Sequence, residues 1–351
     1  MTARLVADAL TPRHAGPSDA ACGVAQDRLE PASTVALVRP IESLPATGQD
    51  RQWTPAQGRG DGEAARLISV PFQIGARTLA SVRRRLRRVA WSLDDALTGR
   101  LPAVGTLGAG EDGWLLTSVP EALLADIAVP GAIMLVRQRY RRWWIDLTAG
   151  AAAWRAGLSA NARAQIGRKA KRLGPHVVKR YRKPAEIAAF HPAARAVSAL
   201  TYQERLLGSG LPADPTELVR LAAVDRVRAW LLCVEGRAVA YLCCTADGAT
   251  LRYDHVGHDP AWSDRSPGAV LQAAALAELF GDRFARFDFT KGEGQHKRQL
   301  ATGSVACADV LVLRRTVGNR GLVAVLRGWG MAVDWGKRVE WLRRLGAPLR
   351  R

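Results

Sequence analysis

The sequence predicts a mixed α/β (α+β) fold, a mostly antiparallel sheet flanked by helices and arranged as two tandem lobes. Two observations carry most of this. Arg228 to Val234, Arg237 to Thr245 and Ala249 to Val256 are strand-like runs separated by short turns, the first of them Glu235-Gly236, which read as an antiparallel meander. A helical stretch, Gly268 to Phe280, and two further strands, Phe284 to Phe289 and Val305 to Arg314, follow it. The chain also has 351 residues with 48% hydrophobic residues, enough for two modest cores.

In chain order, residues 1–65 are rich in Pro, Gly, Ala, Ser, Asp and Gln without a persistent apolar period and are expected to be disordered. Order is expected to begin at Leu67-Ile68-Ser69-Val70. Leu79 to Leu97 places apolar residues at helical spacing among Arg83, Arg84, Arg85, Arg87 and Arg88, which predicts a basic amphipathic helix. Gly113 to Thr117 reads as a strand, Pro120 to Ile127 as a helix, and Ala132 to Val136 as a strand running into Arg137, Arg139, Arg141 and Arg142. These make a small first lobe, 66–150. A helix over Trp154 to Leu173, with Ser159 as N-cap and Gly174-Pro175 as its stop, opens the second lobe, 151–316. A basic helical tail with Leu322, Val325, Leu326, Trp329 and Val333 on one face completes the chain, 317–351.

The chain carries 51 Lys plus Arg against 32 Asp plus Glu, a net charge of +19, which favours anionic partners without choosing among phosphate groups, nucleic acid and acidic lipid. Cys22, Cys233, Cys243, Cys244 and Cys307 form no CxxC pair, so neither a disulfide framework nor a zinc knuckle is expected. With no signal-length apolar start and no run of about 18 apolar residues, a cytoplasmic protein is expected. Trp329, Trp335 and Trp341 among basic residues admit two readings: docking at the inner face of a membrane, or packing of the tail on the first lobe.

The chemistry is expected in the second lobe. Ser266-Pro267-Gly268-Ala269 opens the helix after the meander, where free backbone N–H groups and the positive dipole end suit an anion such as a pyrophosphate. In the next strand and loop, Arg286-Phe287-Asp288-Phe289-Thr290-Lys291-Gly292-Glu293-Gly294-Gln295-His296-Lys297 puts a carboxylate between apolar residues, costly to bury unless it is paired. Glu293, Asp288, His255 and His296 are candidate bases near the groove between the third and fourth strands. Lys297 is a candidate for binding anionic charge or for pairing with Asp288. Strand alternation puts Tyr253 and His255 on one face and Asp254 on the other. His258 with Asp259-Pro260 reads as turn-forming, and no metal site is expected.

The Asp288 run resembles the Asp-Phe, two residues, Gly-Asp-Glu-Pro-Tyr-Lys signature of the cellulose-biosynthesis-protein-like (CelD-like) acyltransferases, GNAT-superfamily relatives of the Fem aminoacyl transferases. Asp288, Phe289, Gly292 and Lys297 match at the same spacing, Glu293 stands in place of Asp, and Gly294, Gln295 and His296 depart. Leu158-Ser159-Ala160-Asn161-Ala162-Arg163 is similar to the family's Leu-Ser-x-x-x-Arg helix. Asp259-Pro260-Ala261-Trp262 and Ser266-Pro267-Gly268 are similar to its Asp-Pro-x-Trp and Ser-Pro-Gly elements. The resemblance covers roughly 144–314.

The resemblance implies two GNAT-like lobes with the donor site in the second, and an amine acceptor often tied to polysaccharide or envelope chemistry. The donor would be acyl-CoA or an acyl-carrier thioester, bound as a substrate with no permanent cofactor. Ser266, Pro267, Gly268 and Ala269 would hold the donor, and Lys297, Tyr253 and Arg163 would contact substrate. Three other readings stay open: a Fem-like transferase using aminoacyl-tRNA, a non-catalytic GNAT scaffold, and a basic nucleic-acid-binding protein, the last without a recognition motif to support it.

Overall fold

A computed structural model describes residues 65–345, apart from 75–76, 103–105, 128, 202–203, 205–209 and 293. In chain order the elements are β1 (Arg66–Ile74), β2 (Arg77–Ala90), α1 (Leu93–Thr98), β3 (Gly113–Pro120), β4 (Ala132–Asp146), α2 (Gly150–Gly157) and α3 (Ala160–Leu173). There follow β5 (Val177–Tyr181), α4 (Pro184–Leu200), α5 (Thr216–Ala223), β6 (Val227–Val234), β7 (Arg237–Asp247) and β8 (Thr250–His258). A 3₁₀ turn (Pro260–Arg265) then leads to α6 (Pro267–Leu279), β9 (Arg286–Lys291), α7 (Gln295–Leu300), β10 (Gly303–Arg314) and α8 (Val317–Leu345).

The ten strands form one sheet in the order β1-β2-β3-β10-β4-β9-β8-β7-β6-β5. Every neighbouring pair is antiparallel except β2 with β3 and β8 with β9. Because β10 returns between β3 and β4, strands from both halves of the chain share one continuous sheet. Glu235 and Gly236 both have positive φ, at 50° and 80°, the mirror-image turn that matches the twist of a two-residue hairpin.

Hydrophobic layers cover both faces. Residues of α2, α3 and α6 pack with Phe287 and Phe289 on one side, while α4 and α5 bring Ile187, Phe190 and Leu218 against Ala229 and Leu231 on the other. Arg228 is fully buried and is held at 2.7–2.9 Å by Asp282 and at 2.8 Å by Asp225, which ties β6 to the loop after α6.

Several elements differ from the sequence reading. Leu79 to Leu97 is not a basic helix: β2 runs to Ala90, and α1 begins only at Leu93. Val82 and Leu86 meet the core on one face, the alternate arginines lie along the strand, and ladders to β1 and β3 supply non-local pairing that a local apolar period cannot reveal. Pro120 ends β3, and only the short 3₁₀ turn Glu121–Leu123 replaces the expected helix. β4 continues through the arginines to Asp146. The helix expected over Trp154 to Leu173 is two helices, with Ser159 capping the second by accepting from the Ala162 N–H at 3.1 Å.

The tail forms α8, whose Leu322, Val323 and Leu326 pack on Val70, Phe72 and Leu311. Val325, expected on that face, is 58% exposed, and Val323 takes its place. Trp329 donates to the Gln73 carbonyl at 3.1 Å and meets Phe72 edge-on. Leu326→Ala is expected to destabilise the protein by about 2–4 kcal/mol, read as a lower midpoint in urea unfolding, because it opens a cavity under the helix. No helix among the described residues is long and apolar enough to cross a membrane.

Candidate active site

β8 and β9 run parallel but pair only at their starts, Thr250–Arg252 against Arg286–Asp288. Beyond that point β8 continues to His258 and β9 to Lys291 without mutual pairing, so the strands part and open a wedge in the sheet. A cavity of about 580 Å³ lies on the β8 side of this wedge, lined by Tyr253 and Gly257 of β8, Ser266, Gly268 and Gln272 at the start of α6, and His296 of α7. His258, Ser263, Ala269 and Lys169 complete its polar and helical walls.

The start of α6 has the expected form. Ser266 is in the left-handed region (φ 53°, ψ 49°) and Pro267 follows at the first helical position, a sharp entry that turns the first helical turn onto the cavity. A Cβ at Gly268 would meet nothing nearer than the His258 ring, at 3.8 Å, so the space in front of the first turn is open. Asp259 shapes the preceding turn, accepting from the Ala261 N–H at 3.0 Å, and His258 Nε2 lies 3.2 Å from Ser263 Oγ.

Burial, together with the cationic Lys297 and Lys169, holds the His296 imidazole below histidine's ordinary pKa. Burial does the same for His258, against the opposing pull of Asp259. Both are therefore neutral at neutral pH and free to accept a proton. Burial raises the Tyr253 phenol, whose ring packs edge-on against Phe287 and Phe289, so it remains protonated. A Cβ at Gly294 would lie 2.7 Å from the His296 ring. The departure from the family signature at 294 thus makes room for the departure at 296.

Other sequence candidates lie elsewhere. Cys243 pairs with His255 and Cys244 with Tyr253, a register shift that leaves Asp254 as the extra residue of a β-bulge. Cross-strand partners share a face, and Cys243 and Cys244 belong to opposite cores. Tyr253 and His255 therefore face opposite sides of the sheet, contrary to simple alternation. His255 makes a backbone hydrogen bond with Gly210, and burial lowers its pKa.

Asp288 is fully buried, but its ion-pair partner is Arg142 rather than Lys297. Arg142 Nη2 donates to Asp288 at 2.6 Å, Nε contacts both carboxylate oxygens at 3.1–3.2 Å, and the Thr290 N–H adds a bond at 2.8 Å. This clamps β4 to β9 and leaves no free base there. Lys297, 9% exposed, donates to the carbonyls of Phe289 and Lys291 at 2.8 and 2.9 Å and so braces the loop after β9. Arg163 caps the carbonyls of Arg155, Ala156 and Leu158, outside the cavity lining. Glu293 lies outside the described residues. Among those described, no cluster of His, Cys, Asp or Glu is placed to hold a metal.

Sequence reasoning missed several lining residues, Lys169 and Gln272 among them. Lys169 was one cation among many on α3. Gln272 is 4% exposed, and its Nε2 has no hydrogen-bond partner among the described residues. The available signal was a lone amide in the otherwise apolar run Gly268 to Ala277.

No curated protein matches the chain by sequence. Solved structures similar to it include the C-terminal domain (DUF2156) of a proposed lysylphosphatidylglycerol synthetase from Agrobacterium fabrum, at 12% identity and TM-score 0.45, covering 63% of this chain and 73% of that one. FemX is similar at 8% identity and TM-score 0.43, covering 71% and 88%. A GCN5-related N-acetyltransferase from Kribbella flavida is similar at 14% identity and TM-score 0.32, covering 58% and 69%. Residues 160–298, which run from α3 to α7 and carry every residue of the cavity lining, match the family described as Acetyltransferase (GNAT) domain.

Proposed function

We propose that the protein is an N-acyltransferase that moves an acyl group from a coenzyme-A-type thioester to an amine. The observation that carries this reading is the wedge between β8 and β9 beside a cavity that the first turn of α6 lines, with neutral His296 in its wall. A donor lying in the wedge would set its anionic groups on the α6 N-terminus. Its carbonyl would lie within reach of the unpartnered Gln272 amide, a donor for the developing oxyanion.

The acceptor amine attacks the thioester carbonyl directly. His296 takes the amine proton as the C–N bond forms, the C–S bond breaks, and the departing thiolate leaves as the thiol by taking that proton back from the His296 imidazolium. His258 is the second base candidate in the same cavity. Tyr253, kept protonated by burial, donates a hydrogen bond toward the departing sulfur. The resemblance to the CelD-like enzymes points to an acceptor in polysaccharide or envelope biosynthesis.

Calorimetric titration with acetyl-CoA and longer acyl-CoAs tests this reading. Saturable binding is expected, retained in Gly268→Ala and weakened about a hundredfold or more in Gly268→Phe, whose ring would fill the space in front of α6. Absence of acyl-CoA binding, with salt-sensitive binding of short RNA instead, would move the aminoacyl-tRNA reading to the front.

A further inference from the structure

Helix α8 has two apolar faces. One belongs to the fold: Leu322, Val323 and Leu326 pack on β1 and β10, and Trp329 is tied to the Gln73 carbonyl. The opposite face is bare. Val317, Ala324 and Met331 recur at seven-residue steps and Trp335 stands four residues on, a spacing that sets all four on one side of a helix. Val317 is 89% exposed, Met331 68% and Trp335 69%, and Val325 at the margin is 58% exposed. A Cβ at Gly321 or Gly328, on the same side, would meet nothing within 4 Å. Of the ten exposed large hydrophobic side chains among the described residues, four therefore fall on this one element.

Cations border the stripe. Arg320 and Arg327 are exposed, and α8 as a whole carries six lysines and arginines against two acids. Single exposed apolar side chains are ordinary, whereas a row of them rimmed by charge marks a partner surface. Three partners differ in what they would use. A polyanion such as RNA has a use for the arginines but none for Val317, Met331 and Trp335. A second copy of the chain could cover the apolar row, but it would press together two cationic faces of molecules that each carry +19. An anionic bilayer uses both parts: tryptophan and methionine enter the boundary between headgroups and acyl chains, and arginines stay with the lipid phosphates. The helix is not apolar enough to cross a membrane, so it would lie in the plane of one.

We propose that the solvent side of α8 docks on an anionic bilayer. Met331 and Trp335 insert at the headgroup boundary, Arg320 and Arg327 meet lipid phosphates, and the inner side of the helix holds the sheet to the membrane.

Co-sedimentation of the full-length protein with vesicles tests the proposal. Binding is expected to vesicles of equal phosphatidylcholine and phosphatidylglycerol, and to be at least about tenfold weaker to phosphatidylcholine alone. Met331→Ser with Trp335→Ser keeps the charge and should weaken binding at least about tenfold, because apolar insertion is lost. Arg320→Glu with Arg327→Glu should weaken it about thirtyfold or more, at roughly fivefold per arginine near an anionic surface. The same reversal at Arg83 and Arg85, exposed on the other face of β2, should cost less than the pair on α8. All these side chains are exposed, so the urea midpoint should hold in each variant. Binding that ignores the Met331 and Trp335 changes, or that falls equally for the β2 and α8 reversals, is general charge attraction and overturns the docking face. Without vesicle binding, a dimer in light scattering that the Met331 and Trp335 changes disperse overturns it in favour of a second copy, and short RNA binding lost in the α8 arginine variant overturns it in favour of nucleic acid.

Discussion

His296→Ala is expected to lower kcat for acyl transfer by a factor on the order of 10²–10⁴, the range that a positioned general base contributes. The pH profile separates this from a packing defect. The base works as the neutral imidazole, so activity rises as pH climbs through the His296 pKa. Burial, Lys297 and Lys169 set that pKa below the ordinary histidine value, so the acid limb of kcat/KM lies correspondingly low and vanishes in His296→Ala. Lys169→Ala removes one repelling cation, and the limb should then move to higher pH. An unchanged limb in both variants would shift the role to His258, which shares the cavity.

Breaking the Arg142–Asp288 pair should have the largest effect on stability. The side chains are 5% and 0% exposed, and Arg142 also donates to the Trp91 carbonyl at 2.8 Å. Removing one partner strands the other charge in the core, so Asp288→Ala or Arg142→Ala should cost about 3–5 kcal/mol. Asp288→Ala also deprives the Thr290 N–H of its acceptor. A double replacement, Arg142→Met with Asp288→Leu, should recover much of the loss, as read by urea unfolding. If Asp288 were instead the base, Asp288→Asn would abolish turnover in protein that remains folded.

Glu235-Gly236, Ser159 and Ser266-Pro267-Gly268 were legible because each acts through backbone only a few residues away. The α6 end of the cavity was readable for the same reason. β2 was not, because its apolar spacing fits a helix, and only the ladders to β1 and β3 select the extended form. Asp288 was rightly singled out as a carboxylate in need of a partner, yet its partner lies 146 positions away in β4. Lysines and arginines nearer in sequence offered equally good charges.

The sequence by itself determined the order from Arg228 onward of three strands, a helix and two further strands, though not the short α7 between the last two, together with the turn chemistry and the helix start at Pro267. Turn preference, capping and periodicity are local properties of adjacent residues. Only the tertiary structure decided which side of the sheet His255 faces, which arginine neutralises Asp288, and that Lys169 and Gln272 meet His296 across one cavity. Each of these depends on a bulge, a ladder register or a helix crossing between distant segments. A shift of one residue in a strand turns a side chain to the other face, so no pattern along the chain specifies them.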